Sequence, residues 1–328
     1  MTCLVTGANG FVGAAIVRAL LADRRRVVAL VRAGSDLRNL ASSAAEIRRG
    51  DVTDADSLRR ALEGCREVIH AAADYRLWTD DAGAMYRTNV EGSTNVISVA
   101  AELGVERAVY TSSVAALGTH ADGSAADEES PVSLADMVGH YKRSKFLAEQ
   151  AVRDAARSTG LPVVIVNPST PIGPGDIKPT PTGRIIVDAA TGRIPAYVDT
   201  GLNVVHVDDV ARGHLLALER GRVGERYILG GQNLSLCDIL ARVAALTGRR
   251  APTLQLPRWP LYPLAFVAEG VARLTHREPR LSLDGLRMSA KHMYFSSRKA
   301  ERELGFTARP ADEAIRDAVD WFRSHGYL

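Results

Sequence analysis

The stretch MTCLVTGANGFVG, residues 1–13, places glycines at positions 7, 10 and 13 directly after a short apolar run. Glycine tolerates positive φ and allows the backbone to approach a ligand closely. Three glycines between an apolar strand and a helical pattern indicate a loop that binds phosphate, because the N–H groups at a helix N-terminus attract anions. A tight strand-to-helix turn without a ligand is the alternative interpretation, so the rest of the chain must decide.

Short apolar runs of strand length recur along the first half of the chain, and helical patterns separate them. This alternation is typical of βαβ units, so we expect an α/β fold with a doubly wound, parallel sheet of the Rossmann type. The first helix is predicted over 11–21, where apolar residues recur at three- and four-residue spacing. The predicted strands cover residues 3–6, 27–31, 68–73, 108–111 and 163–166.

The chain is long enough for two domains, and its texture changes near Pro168, where prolines and glycines punctuate NPSTPIGPGDIKPTPTGR. An apolar strand at 203–207, followed by a helix, predicts that the chain then returns to the first sheet. The predicted division is a nucleotide-binding Rossmann domain over 1–170, with a return at about 203–228, and a smaller, mostly helical substrate domain over 171–202 and 229–328.

Composition argues against several classes of protein. The 328 residues carry a formal net charge of +3, which differs from the concentrated basic surface of a nucleic-acid-binding protein. Cys3, Cys65 and Cys237 stand far apart without CxxC pairs, so neither a disulfide framework nor a zinc site is expected. We therefore predict no metal, no nucleic-acid partner and a reducing, cytoplasmic location.

No apolar run reaches the roughly 20 residues of a membrane-spanning helix. The glycine loop also begins too close to Met1 for a signal peptide. The protein is therefore expected to be soluble, and peripheral contact with a membrane surface remains open.

The residue after the second predicted strand bears on the choice of a dinucleotide. Folds that prefer NAD place a carboxylate there for the ribose 2′-hydroxyl, whereas this chain has Arg32. A guanidinium suits a 2′-phosphate because it offers a planar fork of charged donors, and Ser35 or Arg38 could add to the contact. NADP(H) is therefore the preferred cofactor and NAD(H) the alternative; a solvated strand end is the other interpretation of Arg32.

Two further segments fit the adenine and ribose ends of a dinucleotide, because small residues let it lie against the sheet edge. Gly50-Asp51-Val52 closes the third predicted strand, and His70-Ala71-Ala72-Ala73 closes the fourth. His70 is predicted to be a buried structural residue rather than a catalyst.

The segment GHYKRSKFLAEQ carries the strongest chemical signal, because Tyr141 and Lys145 stand four residues apart on one face of an amphipathic helix. Upstream, YTSSVAALG places Ser112 and Ser113 at the carboxyl end of the fifth strand, where open α/β sheets bind ligands. A free phenol has a pKa of about 10, and the positive charges of Lys145 and an oxidised nicotinamide are expected to lower it. Ser113 would hold the substrate oxygen for hydride transfer, and Lys145 the nicotinamide ribose.

With these residues in this order, the chain resembles the extended short-chain dehydrogenase/reductases over nearly its whole length. It matches their TGxxGxxG motif at 6–13, their strand-end serine and their YxxxK motif. The resemblance implies that Ser113, Tyr141 and Lys145 are catalytic. It also implies that Asn89 in RTNVEGS is the helix asparagine of the family's tetrad, for which helix packing is the alternative role.

The same resemblance completes the predicted site and assembly. It implies a homodimer formed through the helix that carries Tyr141 and the helix around 83–103. The predicted cofactor contacts are Gly7, Asn9, Gly10, Phe11, Val12, Gly13, Arg32, Ser35, Asp51, Val52, Ala71, Ala72, Ala73, Thr111, Tyr141, Lys145, Asn167, Pro168 and Thr170.

Within this superfamily, VRAGSD, YTSSVAALG and NPSTPIGP resemble the dihydroflavonol-reductase branch, and ADYRLW and YVDTGLNVVHVDDVA resemble the hopanoid-associated sugar epimerases. Both kinds of enzyme would use the same triad and nicotinamide. An epimerase returns the hydride to its own substrate and typically retains NAD(H), so Arg32 favours a reductase. The segment VIVNP at 164–168 agrees, because nucleotide-sugar enzymes tend to carry Arg-Pro-Phe or Tyr-Phe-Asn there.

We therefore predict an NADP(H)-dependent oxidoreductase that transfers a hydride to or from a carbonyl or hydroxyl group of a small, sugar-like or hopanoid-linked substrate. The alternative is an NAD(P)-dependent sugar epimerase of hopanoid biosynthesis. A regulator that binds NADP(H) without turnover is a third hypothesis, and the intact Ser113, Tyr141 and Lys145 argue against it.

The segment LPRWPLYPLAFVAEGVARL, residues 256–274, concentrates aromatic and aliphatic side chains. Apolar residues at helical spacing predict a helix packed into the core of the C-terminal domain. The alternative is an apolar mouth for a lipid-like substrate, which would show an exposed apolar patch.

Overall fold

The structure is a computed structural model that describes residues 1–275, 279 and 281–328. Its strands are β1 (Thr2–Thr6), β2 (Arg26–Val31), β3 (Glu46–Arg49), β4 (Glu67–His70), β5 (Arg107–Thr111), β6 (Val163–Pro168), β7 (Thr170–Ile172), β8 (Ala196–Tyr197), β9 (Gly201–His206), β10 (Arg226–Leu229), β11 (Gln232–Ser235), β12 (Leu254–Gln255) and β13 (His292–Met293). Its α-helices are α1 (Phe11–Ala22), α2 (Ala55–Leu62), α3 (Ala82–Tyr86), α4 (Gly92–Glu102), α5 (Gly139–Thr159), α6 (Pro181–Ala190), α7 (Val207–Arg220), α8 (Leu236–Thr247), α9 (Leu261–Thr275), α10 (Leu283–Met288), α11 (Arg298–Leu304) and α12 (Ala311–Ser324).

Seven parallel strands form the large sheet, in the spatial order β10-β6-β5-β4-β1-β2-β3. One buried apolar layer packs α1 and α7 on one face, and a second packs α2, α4 and α5 on the other. The predicted doubly wound, Rossmann-type α/β fold is therefore confirmed. The strand order reverses between β1 and β4, which is where open sheets of this kind bind ligands at their carboxyl edge.

A second, four-stranded sheet is built around β9, which pairs with β7, β11 and β13. Apolar side chains of this sheet, α6, α8 and α12 form a third buried core. The strand expected at 203–207 is thus β9 of this second sheet, and the segment after it leads back to the first sheet. The chain returns to that sheet through α7 and β10, and β10 pairs with β6. An apolar run marks a buried strand, but its local pattern does not specify which strand it pairs with.

Two predicted strand ends are shorter in the structure. β4 ends at His70, so residues 71–73 form the loop after it, and β3 ends at Arg49, so residues 50–52 follow it. The ladder between β1 and β4 stops because the side chain of Thr6, rather than a backbone carbonyl, accepts the N–H groups of Ala71 and Ala72.

The apolar segment at 256–274 forms the predicted helix, α9, but this helix does not lie in a core. Within it only Ala265 and Ala272 are buried, while Phe266, Val267 and Leu274 are 70, 63 and 84% exposed. The interpretation of a core helix is therefore wrong, and the exposed patch that the alternative requires is present. Helical spacing shows that one face is apolar, but it does not show what covers that face.

The described residues contain no helix with both the length and the apolarity to cross a bilayer. They also contain no group of three or more His, Cys, Asp or Glu side chains arranged to hold a metal ion. The three cysteines are free thiols, and two of them, Cys3 and Cys65, are buried.

Candidate active site

The glycine loop connects β1 to α1, and two of its glycines determine its shape. Gly7 has a φ of +64°, and a Cβ there would lie 2.8 Å from the backbone of Ala72. A Cβ on Gly13 would collide with the carbonyl oxygen of Gly7. The loop therefore lies against both α1 and the loop after β4, with no space for larger residues.

The N-terminus of α1 offers a site for an anion. Its N-cap is Gly10, which has no side chain to cap the helix, and the first turn, which begins with Phe11 and Val12, holds no acidic residue. The first N–H groups of a helix carry a partial positive charge when no cap occupies them. The geometry thus fits the pyrophosphate of a dinucleotide at the point where the strand order reverses.

Gly13→Ala is expected to lower the free energy of unfolding by about 1–3 kcal/mol and to weaken dinucleotide binding, because the methyl group would force apart the backbone of the glycine loop. The matched control is Gly270→Ala on the exposed side of α9, where an added Cβ meets nothing within 4 Å. That change should stabilise by about 0.5–1 kcal/mol. Urea unfolding measures both, and equal effects would show that the Gly13 contact does not constrain the loop.

Thr6, the last residue of β1, connects the glycine loop to β4. Its hydroxyl oxygen accepts hydrogen bonds from the N–H groups of Ala71 and Ala72 at 3.1 and 3.0 Å, which leaves its proton for Nδ1 of His70, 2.6 Å away. Nε2 of His70 lies 2.9 Å from the hydroxyl of Ser93. Burial lowers the pKa of His70 to about 3. His70 is therefore a buried, neutral residue, as the sequence predicts.

Arg32 follows β2 and is exposed, in a turn closed by a hydrogen bond from the Ser35 N–H to its carbonyl at 3.2 Å. Its charge is one of those that lower the pKa of Asp74, a carboxylate that is itself ion-paired with Arg76. The nearby Asp36 is bound by both the guanidinium and the backbone N–H of Arg38, which lowers the pKa of Asp36 to about 2. The guanidinium of Arg38, the second cation suggested by the sequence, is thus ion-paired with Asp36. The exposed guanidinium of Arg32 is the one that can bind an anionic ligand.

Asn9 and the segment after β3 have structural partners that the sequence does not reveal. The Asn9 amide donates to the carbonyl of Asp36 at 3.1 Å, so it fixes the glycine loop to the turn that carries Arg32. The carboxylate of Asp51 accepts hydrogen bonds from Thr53 at 2.8 and 2.9 Å. Val52 is buried, and its carbonyl accepts a bond from Asn95 on α4.

Ser113, Tyr141 and Lys145 come together at the carboxyl end of β5. Lys145 is buried, and its ammonium donates to the carbonyl of Thr111 at 2.8 Å. The hydroxyl of Ser113 accepts from the N–H of Ala115 at 3.0 Å, which leaves its own proton free to donate. The hydroxyl of Ser113 also lies near the phenol of Tyr141, close enough to act on its pKa. The three predicted catalytic side chains therefore lie at one edge of the sheet.

The charge states of this group follow from burial. Burial raises the pKa of Tyr141, and the nearby hydroxyl of Ser113 opposes that rise without reversing it. The lowering expected from Lys145 together with an oxidised nicotinamide stays a prediction for the enzyme with its cofactor bound. Burial lowers the pKa of Lys145 to about 8, against the opposing charge of Glu149. At neutral pH the phenol holds its proton, and the lysine is mostly an ammonium.

Asn89 lies in a π-helical turn, Arg87–Glu91, between α3 and α4. It is buried; its oxygen accepts from the N–H of Asp74 at 2.7 Å, and its amide donates to the Asp74 carbonyl and to the hydroxyl of Ser144, both at 2.9 Å. Ser144 is on α5, next to Lys145. Asn89 thus ties the loop after β4 to α5, the helix that carries Tyr141 and Lys145, and π-helical turns are frequent at functional sites.

Glu149 is a residue of this site that the sequence analysis missed. It is buried one turn beyond Lys145 and accepts hydrogen bonds from the Ser112 hydroxyl at 2.6 Å and the Asn167 amide at 3.0 Å. The same amide donates to the carbonyl of Ser113 at 3.0 Å. The carboxylate therefore fixes the backbone that carries Ser113. The available signal was an acid spaced four residues after Lys145, on the same face of the helix.

The end of β6 leads from the site into the second sheet. Asn167 and Pro168 close β6, and Thr170 begins β7. The side-chain oxygen of Asn167 is buried and has no hydrogen-bond partner among the described residues, so an acceptor is available beside Ser113. Together with the glycine cradle and the uncapped helix, this open acceptor fits a bound dinucleotide.

The fold and site define a dinucleotide-dependent enzyme of the extended short-chain dehydrogenase/reductase type. The chain belongs to the NAD-dependent epimerase/dehydratase family, whose profile matches residues 3–230. Membership of this family makes a nicotinamide dinucleotide its cofactor. Proteins similar to this chain are named as reductases, epimerases and dehydratases.

Two relatives match the chain over almost its whole length. A Synechocystis sp. protein provisionally named dihydroflavonol 4-reductase is 48% identical over 328 residues, which cover 99% of this chain and 95% of that protein. The sterol demethylase protein B of Methylococcus capsulatus is 36% identical over 331 residues, with 100% of both chains covered.

Solved structures show the same fold. A nucleoside-diphosphate-sugar epimerase from Pseudomonas aeruginosa is 32% identical, with a TM-score of 0.80 over 100% of this chain and 99% of that one. A dTDP-glucose 4,6-dehydratase from Streptomyces venezuelae, solved as a double mutant with NAD bound, is 26% identical, with a TM-score of 0.80 and the same coverage.

Proposed function

We propose that this protein is an NADP(H)-dependent oxidoreductase that transfers a hydride to or from a carbonyl or hydroxyl group of a small, sugar-like or hopanoid-linked substrate. The observation that carries the proposal is the approach of the Tyr141 phenol to the Ser113 hydroxyl, beside the buried ammonium of Lys145, at the ligand edge of β5.

Each side chain has a definite part in reduction. Ser113 donates its free proton in a hydrogen bond to the substrate carbonyl oxygen and holds it in place. Tyr141 gives its phenol proton to that oxygen, and the nearby ammonium of Lys145 stabilises the phenolate that remains. Lys145 uses one N–H on Thr111, so two remain for the ribose hydroxyls of the dinucleotide. When bound, the nicotinamide supplies the hydride in reduction or accepts it in oxidation.

Two observations support the proposed chemical class of the substrate. Of the two relatives, one is named as a reductase and the other for a sterol, which is an apolar polycyclic molecule. The exposed apolar helix α9 is consistent with a lipid-like group on the substrate. The direct test mixes the purified protein with NADPH and a panel of aldehydes and ketones and follows loss of the reduced cofactor. No consumption with any carbonyl would count against a reductase.

Arg32→Ala is expected to weaken NADPH binding by about ten- to hundredfold and to leave NADH binding almost unchanged, because the lost charge-assisted bonds go to a phosphate that NADH lacks. Arg38→Ala is the matched control, since Asp36 already binds that guanidinium. Both cofactors are titrated into all three proteins. If the wild type binds NADH as tightly as NADPH, or if Arg32→Ala weakens both equally, Arg32 does not recognise the 2′-phosphate.

A sugar epimerase is the second candidate, and the epimerase from P. aeruginosa favours it. An epimerase returns the hydride to the same substrate, so it consumes no cofactor and retains NAD(H). Mass spectrometry of the purified protein distinguishes the two functions: tightly held NAD would favour the epimerase, and a protein that binds and exchanges NADPH would favour the reductase.

The proposal also covers the division of the chain into domains and its oligomeric state. The separate core around β9 supports a substrate domain over residues 171–202 and 229–328 beside a dinucleotide domain over 1–170 and 203–228, with residues 203–206 of β9 moved to the substrate domain. We also infer a homodimer through α5 and the helical segment around 83–103, because α4 and α5 pack side by side and each exposes polar residues on its outer face. Sedimentation velocity tests the dimer.

A further inference from the structure

One face of α9 is apolar and open to solvent. Leu264, Val267, Val271 and Leu274 recur at three- and four-residue spacing and are 60, 63, 52 and 84% exposed, and Phe266 beside them is 70% exposed. We call these five residues the α9 face. Apolar patches of this kind on folded proteins usually mark an interaction site.

The α9 face is held close to the active site through α10. Glu269 of α9 accepts a hydrogen bond from the N–H of Leu283 at 2.7 Å, which fixes α9 on the first residue of α10. The carboxylate of Asp284, the next residue, lies against Gly139, where a Cβ would approach it to 2.6 Å. Gly139 begins the helix that carries Tyr141 two residues later. The position of this face is therefore coupled to the entrance of the catalytic helix.

The charges around this face indicate what it meets. Arg273 is the exposed charged residue of α9, whereas its one acid, Glu269, is half-buried and bound to Leu283. Trp259, just before the helix, is 76% exposed. Exposed Trp, Phe and Leu side chains with a basic residue at their border are typical of helices that lie in a membrane interface, where anionic head groups attract the cation. The whole chain, with a net charge of +3, adds to that attraction.

The size of the face argues for a lipid surface rather than a second protein. A helix of 15 residues is about 22 Å long and about 10 Å wide, so its face is far smaller than the ~800 Å² per partner of a stable protein interface. We propose that the α9 face, with Trp259, docks on the surface of a lipid bilayer that contains anionic lipid. A substrate held in that bilayer would then reach the active site without crossing water. The docking itself does not depend on which reaction the enzyme performs.

Co-sedimentation of the full chain with lipid vesicles tests the proposal. The vesicles are phosphatidylcholine, either alone or with about a third phosphatidylglycerol. The wild type should sediment with the mixed vesicles and should sediment less with the neutral vesicles. The mixed vesicles should also shift its tryptophan emission to the blue, and the variant Trp259→Phe should lose that shift. Arg273→Glu should weaken binding to the mixed vesicles alone.

Two valine variants give a matched comparison. Val267→Ser should lower vesicle partitioning by about tenfold, and Phe266→Ser with Leu274→Ser by about a hundredfold or more, because each apolar side chain loses its transfer from water. Val223→Ser, the same change at a site that is 57% exposed elsewhere on the surface, should have no effect. NADPH binding in every variant checks that the protein is folded.

Four results would overturn the proposal. In the first, the wild type stays in the supernatant with both kinds of vesicle. In the second, Val267→Ser and Val223→Ser reduce vesicle binding equally. In the third, the face variants would abolish a concentration-dependent dimer without changing vesicle binding, which would make a second copy the occupant. In the fourth case the face variants would raise KM for a water-soluble carbonyl and leave vesicle binding intact, so that the face would belong to the substrate mouth.

Discussion

Tyr141→Phe is expected to reduce turnover by about 10²- to 10⁴-fold, while the affinity for NADPH stays within about threefold of wild type. The phenylalanine ring fills the space of the tyrosine ring, so the cofactor cradle and α5 remain in place. Only the phenol proton is lost, and the substrate oxygen then has no acid to receive its proton from. Steady-state kinetics with NADPH and a carbonyl substrate, together with a cofactor titration, separate the two effects.

Tyr227→Phe is the matched control for this prediction. Tyr227 is also a buried phenol in the large sheet, but its hydroxyl bonds Glu303 and the backbone N–H of Arg222 at the edge strand β10. Its removal should leave turnover unchanged. If Tyr141→Phe retains activity within about threefold of wild type, the phenol takes no part in proton transfer and another acid must be sought. If it also loses NADPH binding, its effect is on the cofactor site instead.

The large sheet could be predicted from the sequence because its signals are local. A glycine loop between a strand and a helix, and apolar runs that alternate with helical patterns, determine βαβ units and hence a parallel sheet. The place of β9 could not be predicted in this way. Its apolar run, buried at five of six residues, fits an inner strand of either sheet, and its partners β11 and β13 lie far along the chain.

The placement of the candidate catalytic group could be predicted for the same reason, since a spacing of four residues on a helix brings Tyr141 and Lys145 to one face. Their surroundings depend on contacts between distant segments. The bonds of Glu149 to Ser112 and Asn167, and the π-helical turn that directs Asn89 to Asp74, have no counterpart in local spacing. The burial that raises the phenol pKa could not be predicted either, because it is a property of the folded chain.

Lys145→Met is expected to reduce both turnover and the affinity for NADPH, each by about ten- to hundredfold. Methionine is apolar and close in length to lysine, so it fills the buried space without leaving a charge unpaired. It removes the ammonium that stabilises the phenolate of Tyr141 and the N–H groups available to the ribose. Lys299→Met is the matched control. Lys145 lies over the ring of Tyr110 and Lys299 over the ring of Tyr227, but Lys299 is ion-paired with Glu225 at the sheet edge.

The pH dependence of binding gives this prediction a direction that a structural defect would not reproduce. The pKa of Lys145 is lowered to about 8, so the side chain is charged below that pH and neutral above it. Because the charge contributes to cofactor binding, the wild type should bind NADPH more weakly at about pH 9 than at about pH 7. Lys145→Met lacks the titrating group, so its weaker binding should change less over the same interval. An unchanged NADPH Kd in this variant would show that Lys145 does not contact the ribose, and the ammonium would then act on Tyr141 alone.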